Sequence, residues 1–583
     1  MRLAHISLTL VGFMWVLPFL YYRHAYPLTT FYQEWVAALL SLLALPLLLS
    51  SKYWQRAELP RILLMPLGMI ALILLQAALG RLASFDQALL LCSYFLWIAF
   101  LLMLGHALRN EFGLSRIVPV LAIFLLIGAE LNALAGLIQH YRWHTFLNAY
   151  VTRKMAAAVY GNIAQPNHFA DYLTLGLVSL GVLYGRFFQR LWLAALLAAP
   201  LLFVMVLSAS RSIWLYLLFF VFWSYLWQRR DRAYRGLLHY SLLVLAGFVL
   251  MQFVVQLPWF ASGQEVTTWQ RTMEQSGSGG SSIRLYLWHE AWLIFTQFPL
   301  LGAGLGQFAW QHFQLGPALH DPVIFGLYNN AHNLVLQLAA ETGLAGLAMV
   351  LGALGWWAWK VWRAPCSIET WWGGAVASVL CIHSMIEYPL WYGYFIGIAA
   401  VVLGMLESDV YKLKLRAMWR GAMVMMLLLC AMVLGQLWQS YSRLEEAFNL
   451  NRSAPDYAGQ LSRRLAQAAE YPLLRPYADL FMSGMIGIDP AHLDDELERN
   501  ERVLRFIPIA SVAYREVWLL AQARRTAEAK EQLRQALWSY PADFPAEMAA
   551  LRRFAANDPE RFAALLEFAI LENEEYQRAV LGK

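Results

Sequence analysis

Charged residues are scarce in this 583-residue chain. Asp, Glu, Lys and Arg make up 14% of it, whereas a soluble domain carries about 25%. Of the 82 charged residues (44 basic and 38 acidic), 40 lie after residue 440. The last quarter therefore has the charge content of a soluble protein, and the first 440 residues do not. This imbalance predicts a membrane domain followed by a water-soluble domain.

Several sequence motifs are also absent, and each absence narrows the function. The four cysteines form no CxxC pair, and no HExxH, Asp-x-Asp or Cys/His cluster occurs, so we expect neither a metal ion nor a cofactor. The soluble part lacks a dense basic stripe with interleaved aromatic residues. Nucleic acid is therefore not an expected partner.

Long apolar segments dominate the remaining sequence. A membrane-spanning helix needs about 20 apolar residues. Thirteen segments fit: 5–22, 33–50, 61–80, 87–107, 116–139, 167–186, 191–208, 212–228, 237–257, 331–359, 371–387, 392–407 and 421–438. The first follows Arg2 and has no small-residue cleavage site, so we expect it to remain as a span. The sequence predicts an all-α fold, with a polytopic bundle of about 13 helices over 1–440.

The loops between these segments differ in charge and length. One set is rich in Lys and Arg and is expected to face the cytoplasm. The opposite set includes the long loop 258–330, which contains the tract SGSGGSS at 276–282. Thirteen spans would place the C-terminal domain outside the inner membrane, in the periplasm, and an even number would leave it in the cytoplasm.

The C-terminal segment 441–583 has helical apolar spacing. Residues 513–541 read as two helices ending in Tyr-Pro, and a similar ending occurs at Tyr471-Pro472. This pattern predicts a soluble, tetratricopeptide-like domain of helix pairs. A protein-binding surface and a purely structural role both remain open for it.

Polar residues cluster at the predicted outer ends of the spans, where ionisable groups are costly and often functional. Five segments carry the candidates, namely GNIAQPNHFADYL (161–173) with Gln165, Asn167 and His168; SASRS (208–212) with Arg211; RLYLWHEAW (284–292) with Arg284 and Trp288; NNAHNLVLQLAAETG (329–343) with His332 and Asn333; and HSMIEYPLWYGY (383–394) with Glu387 and Tyr388. Structural roles are alternatives for several of them: helix capping by Asn167, headgroup contact by Arg211, and an interfacial helix around Trp288.

The candidate residues suit one kind of chemistry. Arginine stays charged and makes forked contacts with phosphate oxygens. A neutral histidine at the water edge can accept a proton. Two arginines and one histidine therefore favour transfer from a pyrophosphate leaving group, with the histidine as general base for an attacking hydroxyl.

These five segments, in this order, resemble bacterial O-oligosaccharyltransferases of the PglL type, within the superfamily of O-antigen ligases and polymerases. The resemblance covers about 160–400, and the helical tail is similar to the C-terminal domain of that type. It implies an undecaprenyl-pyrophosphate-linked oligosaccharide as donor and a Ser or Thr hydroxyl of a periplasmic protein or pilin as acceptor.

The resemblance also assigns residue roles. His332 matches the proposed base, and Arg211 and Arg284 match arginines that hold the pyrophosphate. Gln165 and Tyr388 match positions needed for activity. Location alone adds Glu387 as a catalytic candidate, and Asn167, His168, Asn333 and Trp288 as substrate-binding candidates.

Alternative functions stay open at this stage. An O-antigen ligase would use lipid A core as acceptor, and a polymerase would extend the glycan. A lipid-linked glycan transporter is the alternative from a different class, but its polar groups would lie near the midplane rather than at one face. A membrane scaffold would leave the outer histidine and arginines unexplained. No WWDYG-type motif occurs, which disfavours an asparagine-linking oligosaccharyltransferase.

Overall fold

The fold is known from a computed structural model, which describes residues 2–50, 53–54, 57–188, 190–263, 266–277, 283–319, 325–413, 417–453, 455–485 and 490–581. Most of the SGSGGSS tract lies outside these residues. Helices dominate the described chain, which confirms the predicted all-α class. A two-stranded antiparallel ribbon, β1 (Ala57–Pro60) with β2 (Val410–Leu413), pairs Ala57 with Leu413 and Pro60 with Val410.

The helices fall into two sequence groups. The helices of the apolar part are α1 (Arg2–Met14), α2 (Leu17–Leu20), α3 (Phe31–Ala44), α4 (Leu64–Ala78), α5 (Phe85–Phe112), α6 (Leu114–Tyr141), α7 (Pro166–Leu183), α8 (Leu191–Leu207), α9 (Ser212–Arg230), α10 (Arg235–Val254), α11 (Thr268–Gly277), α12 (Ile283–Gln297), α13 (Phe308–Leu319), α14 (Leu334–Arg363), α15 (Ile368–Ser384), α16 (Gly393–Leu406) and α17 (Ala417–Phe448). The helices of the charged part are α18 (Tyr457–Ala469), α19 (Arg475–Met485), α20 (Leu493–Phe506), α21 (Ala510–Gln522), α22 (Thr526–Ser539), α23 (Phe544–Asn557) and α24 (Pro559–Leu581).

Helices coincide with all thirteen predicted spans. Eight helical segments of the described chain are long and apolar enough to cross a membrane, and α8 and α16 are shorter apolar helices. A chain with this many apolar segments is a multi-pass membrane protein. Thirteen crossings remain a prediction, because helix length and composition alone do not fix which of the shorter helices span the bilayer.

The first compact unit comprises Met1–Leu67, Tyr94–Gly280 and Val350–Leu434. Small residues bring α6 and α7 together at its centre, since a side-chain carbon added at Gly176 would lie 2.4 Å from the Cβ of Ala129. Such close helix approach through small residues is typical of membrane proteins, where packing rather than water exclusion holds helices together. The same packing fixes the start of α7, where three of the predicted site residues lie.

The second compact unit comprises Gly68–Ser93, Ser281–Met349 and Gly435–Lys583. Its larger core is formed by buried residues of α19 to α24, such as Tyr514 and Leu533, together with Phe313 of α13. The predicted division into 1–440 and 441–583 groups the chain differently. It stays a prediction, as does the tetratricopeptide-like character of the tail, because compactness does not show which residues lie in the membrane.

The glycine-rich run GAGLGQF (302–308) forms a structural turn in the second unit. Gln76 holds it by donating to the carbonyl oxygen of Leu301 (2.6 Å) and accepting from the backbone N–H of Leu305 (3.0 Å). The Glu341 Oε1 atom accepts from the backbone N–H of Phe308 (3.0 Å) at the start of α13. Because this turn leads directly into the first residue of α13, it fixes where that helix begins.

Replacing Gly302 by Ala should destabilise the protein. Its φ of 71° is in the left-handed region, and an added Cβ would lie 2.2 Å from the Glu341 carbonyl. Strain and overpacking of this kind cost about 1–3 kcal/mol each. Thermal unfolding in detergent should therefore show a lower midpoint for Gly302→Ala. The control is Gly352→Ala within α14, where an added Cβ meets no atom within 4 Å; equal midpoints for the two variants would contradict the packing described here.

Candidate active site

The first candidate segment forms the beginning of α7. Gln165 is its N-cap, with Oε1 accepting from the backbone N–H of His168 at 2.6 Å, and Pro166 occupies the first helical position. Proline is favourable at this position, whereas Gln is a less common cap than Asn, Asp or Ser. The alternative that Asn167 caps this helix is therefore wrong, because Gln165 already fills that position. The amide of Asn167 is left for other contacts.

Asn167 connects two further candidate segments within the first unit. Its Oδ1 atom accepts from Ser210 Oγ at 2.7 Å, and its Nδ2 atom donates to Glu387 Oε1 at 2.8 Å. Ser210 Oγ also lies 2.7 Å from Ser212 Oγ. One amide therefore joins the turn that carries Arg211 to the buried carboxylate of Glu387, which is 5% exposed.

The turn that carries Arg211 is formed by buried residues, although Arg211 itself is exposed. Ser208, Ala209 and Ser210 are all buried, whereas Arg211 is exposed. The φ of Ala209 is 53°, and Ser208 Oγ accepts from the backbone N–H of Ser210 at 3.3 Å. A non-glycine residue in this conformation requires support from its surroundings. The buried serines provide that support and hold the backbone that carries Arg211.

His168 belongs to a buried polar network that the sequence analysis missed. It is 1% exposed, and its Nδ1 atom lies 2.8 Å from Nε2 of His383, whose Nδ1 is hydrogen-bonded to the Tyr216 hydroxyl. Its ring packs edge-on against Tyr388 and Tyr392, with centroids 5.8 and 5.0 Å apart. In this structure His168 supports the aromatic turn around Tyr388, while its predicted substrate contact stays a prediction.

Tyr388 lies in the turn between α15 and α16. Burial raises the pKa of the Tyr388 phenol, and the nearby Glu387 carboxylate raises it further. The phenol is therefore neutral at physiological pH and can donate a hydrogen bond. This property suits a residue that orients a polar ligand without adding charge.

His332 lies in the second unit, in a strained backbone conformation. Its φ is 52°, and its backbone N–H donates to Oδ1 of Asn330 at 2.7 Å. The preceding N–H, from Ala331, donates to Oε1 of Gln337 at 2.7 Å. Two side chains thus fix the backbone just before α14, at the point where the half-buried imidazole of His332 is attached.

Asn333 caps α14. Its Oδ1 atom accepts from the backbone N–H groups of Val335 and Leu336, both at 3.1 Å. This is a typical helix-capping arrangement. Asn333 is 8% exposed, and its predicted substrate contact remains a prediction.

Arg284 and Trp288 share one face of α12, as their spacing predicted, and both are half-buried. On the same side of this helix, Leu287 and Ala291 pack into a small core that also contains Ala331. The Trp288 indole N–H and the Asn330 amide Nδ2 are buried, and neither has a hydrogen-bond partner among the described residues. A bound polar ligand or water would satisfy such donors.

The ten predicted site residues are divided between the two units, with six in the first and four in the second. The first unit brings together Gln165, Asn167, His168, Arg211, Glu387 and Tyr388, and the second unit carries Arg284, Trp288, His332 and Asn333.

Comparison with known proteins gives three family matches. Residues 159–184 match the family described as protein glycosylation ligase, residues 192–351 match O-antigen ligase, and residues 371–553 match the C-terminal region of virulence factor membrane-bound polymerase. The chain is also 28% identical, over 461 residues, to the general O-oligosaccharyltransferase of Acinetobacter baylyi, and this alignment covers 76% of each chain. The chain is a glycosyltransferase that is similar to O-oligosaccharyltransferases.

All ten predicted site residues of this glycosyltransferase lie within the matched regions. The protein glycosylation ligase match includes the start of α7, the O-antigen ligase match includes Arg211, Arg284 and His332, and the polymerase match includes the turn with Tyr388. His383 and Tyr216, which sequence analysis missed, lie there too. The sequence feature that could have identified them is that both are polar residues within apolar helices.

Replacing Asn167 should impair the glycosyltransferase without unfolding it. Loss of a hydrogen bond to a buried charged group costs about 1–3 kcal/mol, and each 1.36 kcal/mol in the barrier changes a rate about tenfold. We therefore expect glycosyl transfer by Asn167→Ala to fall about 10- to 100-fold. Asn167→Asp should fall at least as far, because its carboxylate would face that of Glu387.

The control for this prediction is Asn110→Ala, since Asn110 is an exposed residue at the end of α5. Its activity should match that of the unaltered enzyme. Full activity in Asn167→Asp would show that transfer does not need the hydrogen bond from the Asn167 amide to Glu387.

Proposed function

We propose that the enzyme transfers an oligosaccharide en bloc from undecaprenyl pyrophosphate to Ser or Thr hydroxyls of periplasmic proteins or pilins. The main support is the similarity, over 76% of both chains, to a protein named general O-oligosaccharyltransferase. The match of residues 159–184 to protein glycosylation ligases is consistent with a protein acceptor.

In this proposal Arg211 and Arg284 hold the diphosphate of the donor. Their guanidinium groups make forked, charge-assisted contacts with phosphate oxygens. Such contacts stabilise the negative charge that develops on the leaving group, and no metal ion is needed for it. The buried serines around Arg211 support this role, because a held backbone reduces the reorganisation needed to place the cation during the reaction.

His332 acts as the general base. The acceptor hydroxyl oxygen forms a bond to the anomeric carbon of the first sugar, and the bond from that carbon to the phosphate oxygen breaks. The bonding electrons leave with undecaprenyl pyrophosphate, and the hydroxyl proton moves to the imidazole of His332.

Other candidate residues contribute polar contacts. Neutral Tyr388, with Gln165 and Glu387, contributes polar groups beside the Arg211 turn. Asn167 joins Glu387 to that turn, whereas Trp288, Asn333 and His168 complete the proposed substrate contacts.

The proposed location is the inner membrane, with the site and the C-terminal domain facing the periplasm. This orientation is supported by the Lys and Arg residues concentrated in the other set of loops. Lipid-linked donors have their diphosphate at the membrane surface, where Arg211 and Arg284 are expected at the outer ends of helices.

Two of the matched families suggest reactions with other acceptors, and the test below distinguishes these reactions by their products. The O-antigen ligase match over 192–351 suggests transfer to lipid A core, and the polymerase match over 371–553 suggests extension of the glycan itself. Product identity separates these reactions. Transport of the lipid-linked glycan, without transfer, would give no product in detergent.

The test is glycosyl transfer by purified protein carrying His332→Asn. Asparagine tolerates the left-handed conformation that His332 adopts, so the variant removes the base while it preserves the backbone. Loss of a general base reduces rate by about 10²–10⁴-fold. His289→Asn is the matched control, since His289 is exposed on α12, and it should retain activity.

The assay uses a lipid-linked oligosaccharide, a pilin-type acceptor and a chelator. Glycosylated pilin from the unaltered protein and almost none from His332→Asn is the expected result. Equal product from both proteins would rule out the base assignment. Labelled lipid A core, in a parallel reaction, would indicate a ligase, and loss of activity on chelation would contradict the metal-free mechanism.

A further inference from the structure

A buried contact between a carboxyl group and an imidazole supports the loop that carries His332. Glu290 of α12 and His312 of α13 are 4% and 5% exposed, and His312 Nδ1 lies 2.7 Å from Glu290 Oε2. The other ring nitrogen, Nε2, lies 3.3 Å from the carbonyl oxygen of Gly326. The proposed reaction uses neither residue.

Each of the two contacts of His312 needs a proton between the ring nitrogen and the oxygen atom that it faces. A carboxylate oxygen and a carbonyl oxygen accept hydrogen bonds, so both ring nitrogens face acceptors. A neutral imidazole carries one N–H group and can satisfy only one of them. A second proton, on the ring or on the carboxyl group of Glu290, would make both contacts hydrogen bonds. Removing either partner leaves a buried polar group without its partner, which is costly.

A second contact holds the same end of the loop. The backbone N–H of Gly326 donates to the carbonyl oxygen of Ser539 at 2.6 Å. Ser539 is the last residue of α22, in the C-terminal helices. Gly326 has a φ of 100°, which favours glycine. Both polar backbone groups of Gly326 are therefore bonded, one to α13 and one to α22.

Helix α13 links these two contacts rigidly. Phe313, next to His312, is 1% exposed within the core of the C-terminal helices. Gln314 and Gln535 exchange side-chain hydrogen bonds of 3.1 and 3.2 Å. Consecutive helical residues point to different faces, so one helix packs on the C-terminal helices and also supports the loop through His312.

We propose that Glu290 and His312 are positioning residues, which act with the C-terminal helices to fix the segment 326–333 and so to orient His332. The strained φ of His332 makes such support necessary, because strained residues persist only when their surroundings over-determine them. Tyr328, whose ring packs edge-on against His312 at 5.4 Å, extends the support along the loop. The effect on transfer rests on the proposed role of His332, whereas the effect on loop order does not.

The test measures loop order and activity separately in the full-length protein. Hydrogen–deuterium exchange of a peptide covering 325–333 reports loop opening, and initial rates give kcat and KM for the lipid-linked donor. Glu290→Ala should increase exchange in this peptide about tenfold, because local opening becomes easier. It should lower kcat roughly 10- to 100-fold with little change in KM, since misplacement of a catalytic group has effects of this size.

Two variants serve as controls. Glu290→Gln can donate its amide N–H to Nδ1 of a neutral His312, so exchange and kcat should stay close to those of the unaltered enzyme. Glu516→Ala removes another buried carboxylate of the same unit, which accepts from Asn500 Nδ2 at 2.7 Å. It should leave exchange at 325–333 unchanged. If Glu290→Ala does not fold, His312→Gln is measured in the same way.

The outcomes separate the two proposals. Unchanged exchange at 325–333 in Glu290→Ala overturns the positioning role, whatever the activity. Faster exchange with unchanged kcat overturns the coupling of loop order to transfer. An inactive Glu290→Gln would also overturn it, because the carboxylate would then be needed for its charge. Faster exchange together with a fully active His332→Asn would instead refute the base assignment and leave the loop support intact.

Discussion

The candidate segments depend on a constraint on the backbone: several non-glycine residues are held at a positive φ, which they would not adopt without support from their surroundings. His332 has a φ of 52°, and such strain costs about 1–3 kcal/mol. Ala164 and Ala209 are in the same region, each one or two residues before a candidate residue. Three of the five non-glycine residues with positive φ in the described chain therefore lie in candidate segments. Packing elsewhere offsets this cost, and the side chains that follow are thereby fixed in place.

Each compact unit offsets this strain with buried hydrogen bonds at the ends of apolar helices. In the first unit, the amide of Asn167 uses both of its ends, on Ser210 and on Glu387. In the second unit, Asn330 and Gln337 bind successive backbone N–H groups. Polar groups in such surroundings are costly when unpaired, and each hydrogen bond that they make restricts the backbone to which it is made. These hydrogen bonds explain how a membrane protein can hold the backbone at the exposed Arg211 and at the half-buried His332 in a defined conformation.

Much of the fold followed from apolar periodicity. The thirteen predicted spans coincide with helices, and the candidate segments were found because polar residues interrupt apolar runs. The partners of these residues could not be predicted, because Asn167 and Glu387 are 220 residues apart and His168 and His383 are 215 apart. The cap at Gln165 was missed because Asn is the commoner capping residue. The grouping of α13 with the C-terminal helices depends on tertiary packing of Phe313, which periodicity does not reveal.

The central proposal is that two guanidinium groups hold the diphosphate of the donor while one imidazole takes the proton of the attacking hydroxyl. The most direct test is an experimental structure of the enzyme with undecaprenyl pyrophosphate bound in a lipid nanodisc. The account predicts a diphosphate in contact with both Arg211 and Arg284, with the His332 ring facing the adjacent sugar position. A diphosphate bound away from either arginine, or a His332 ring on the cytoplasmic side of the bilayer, would contradict it.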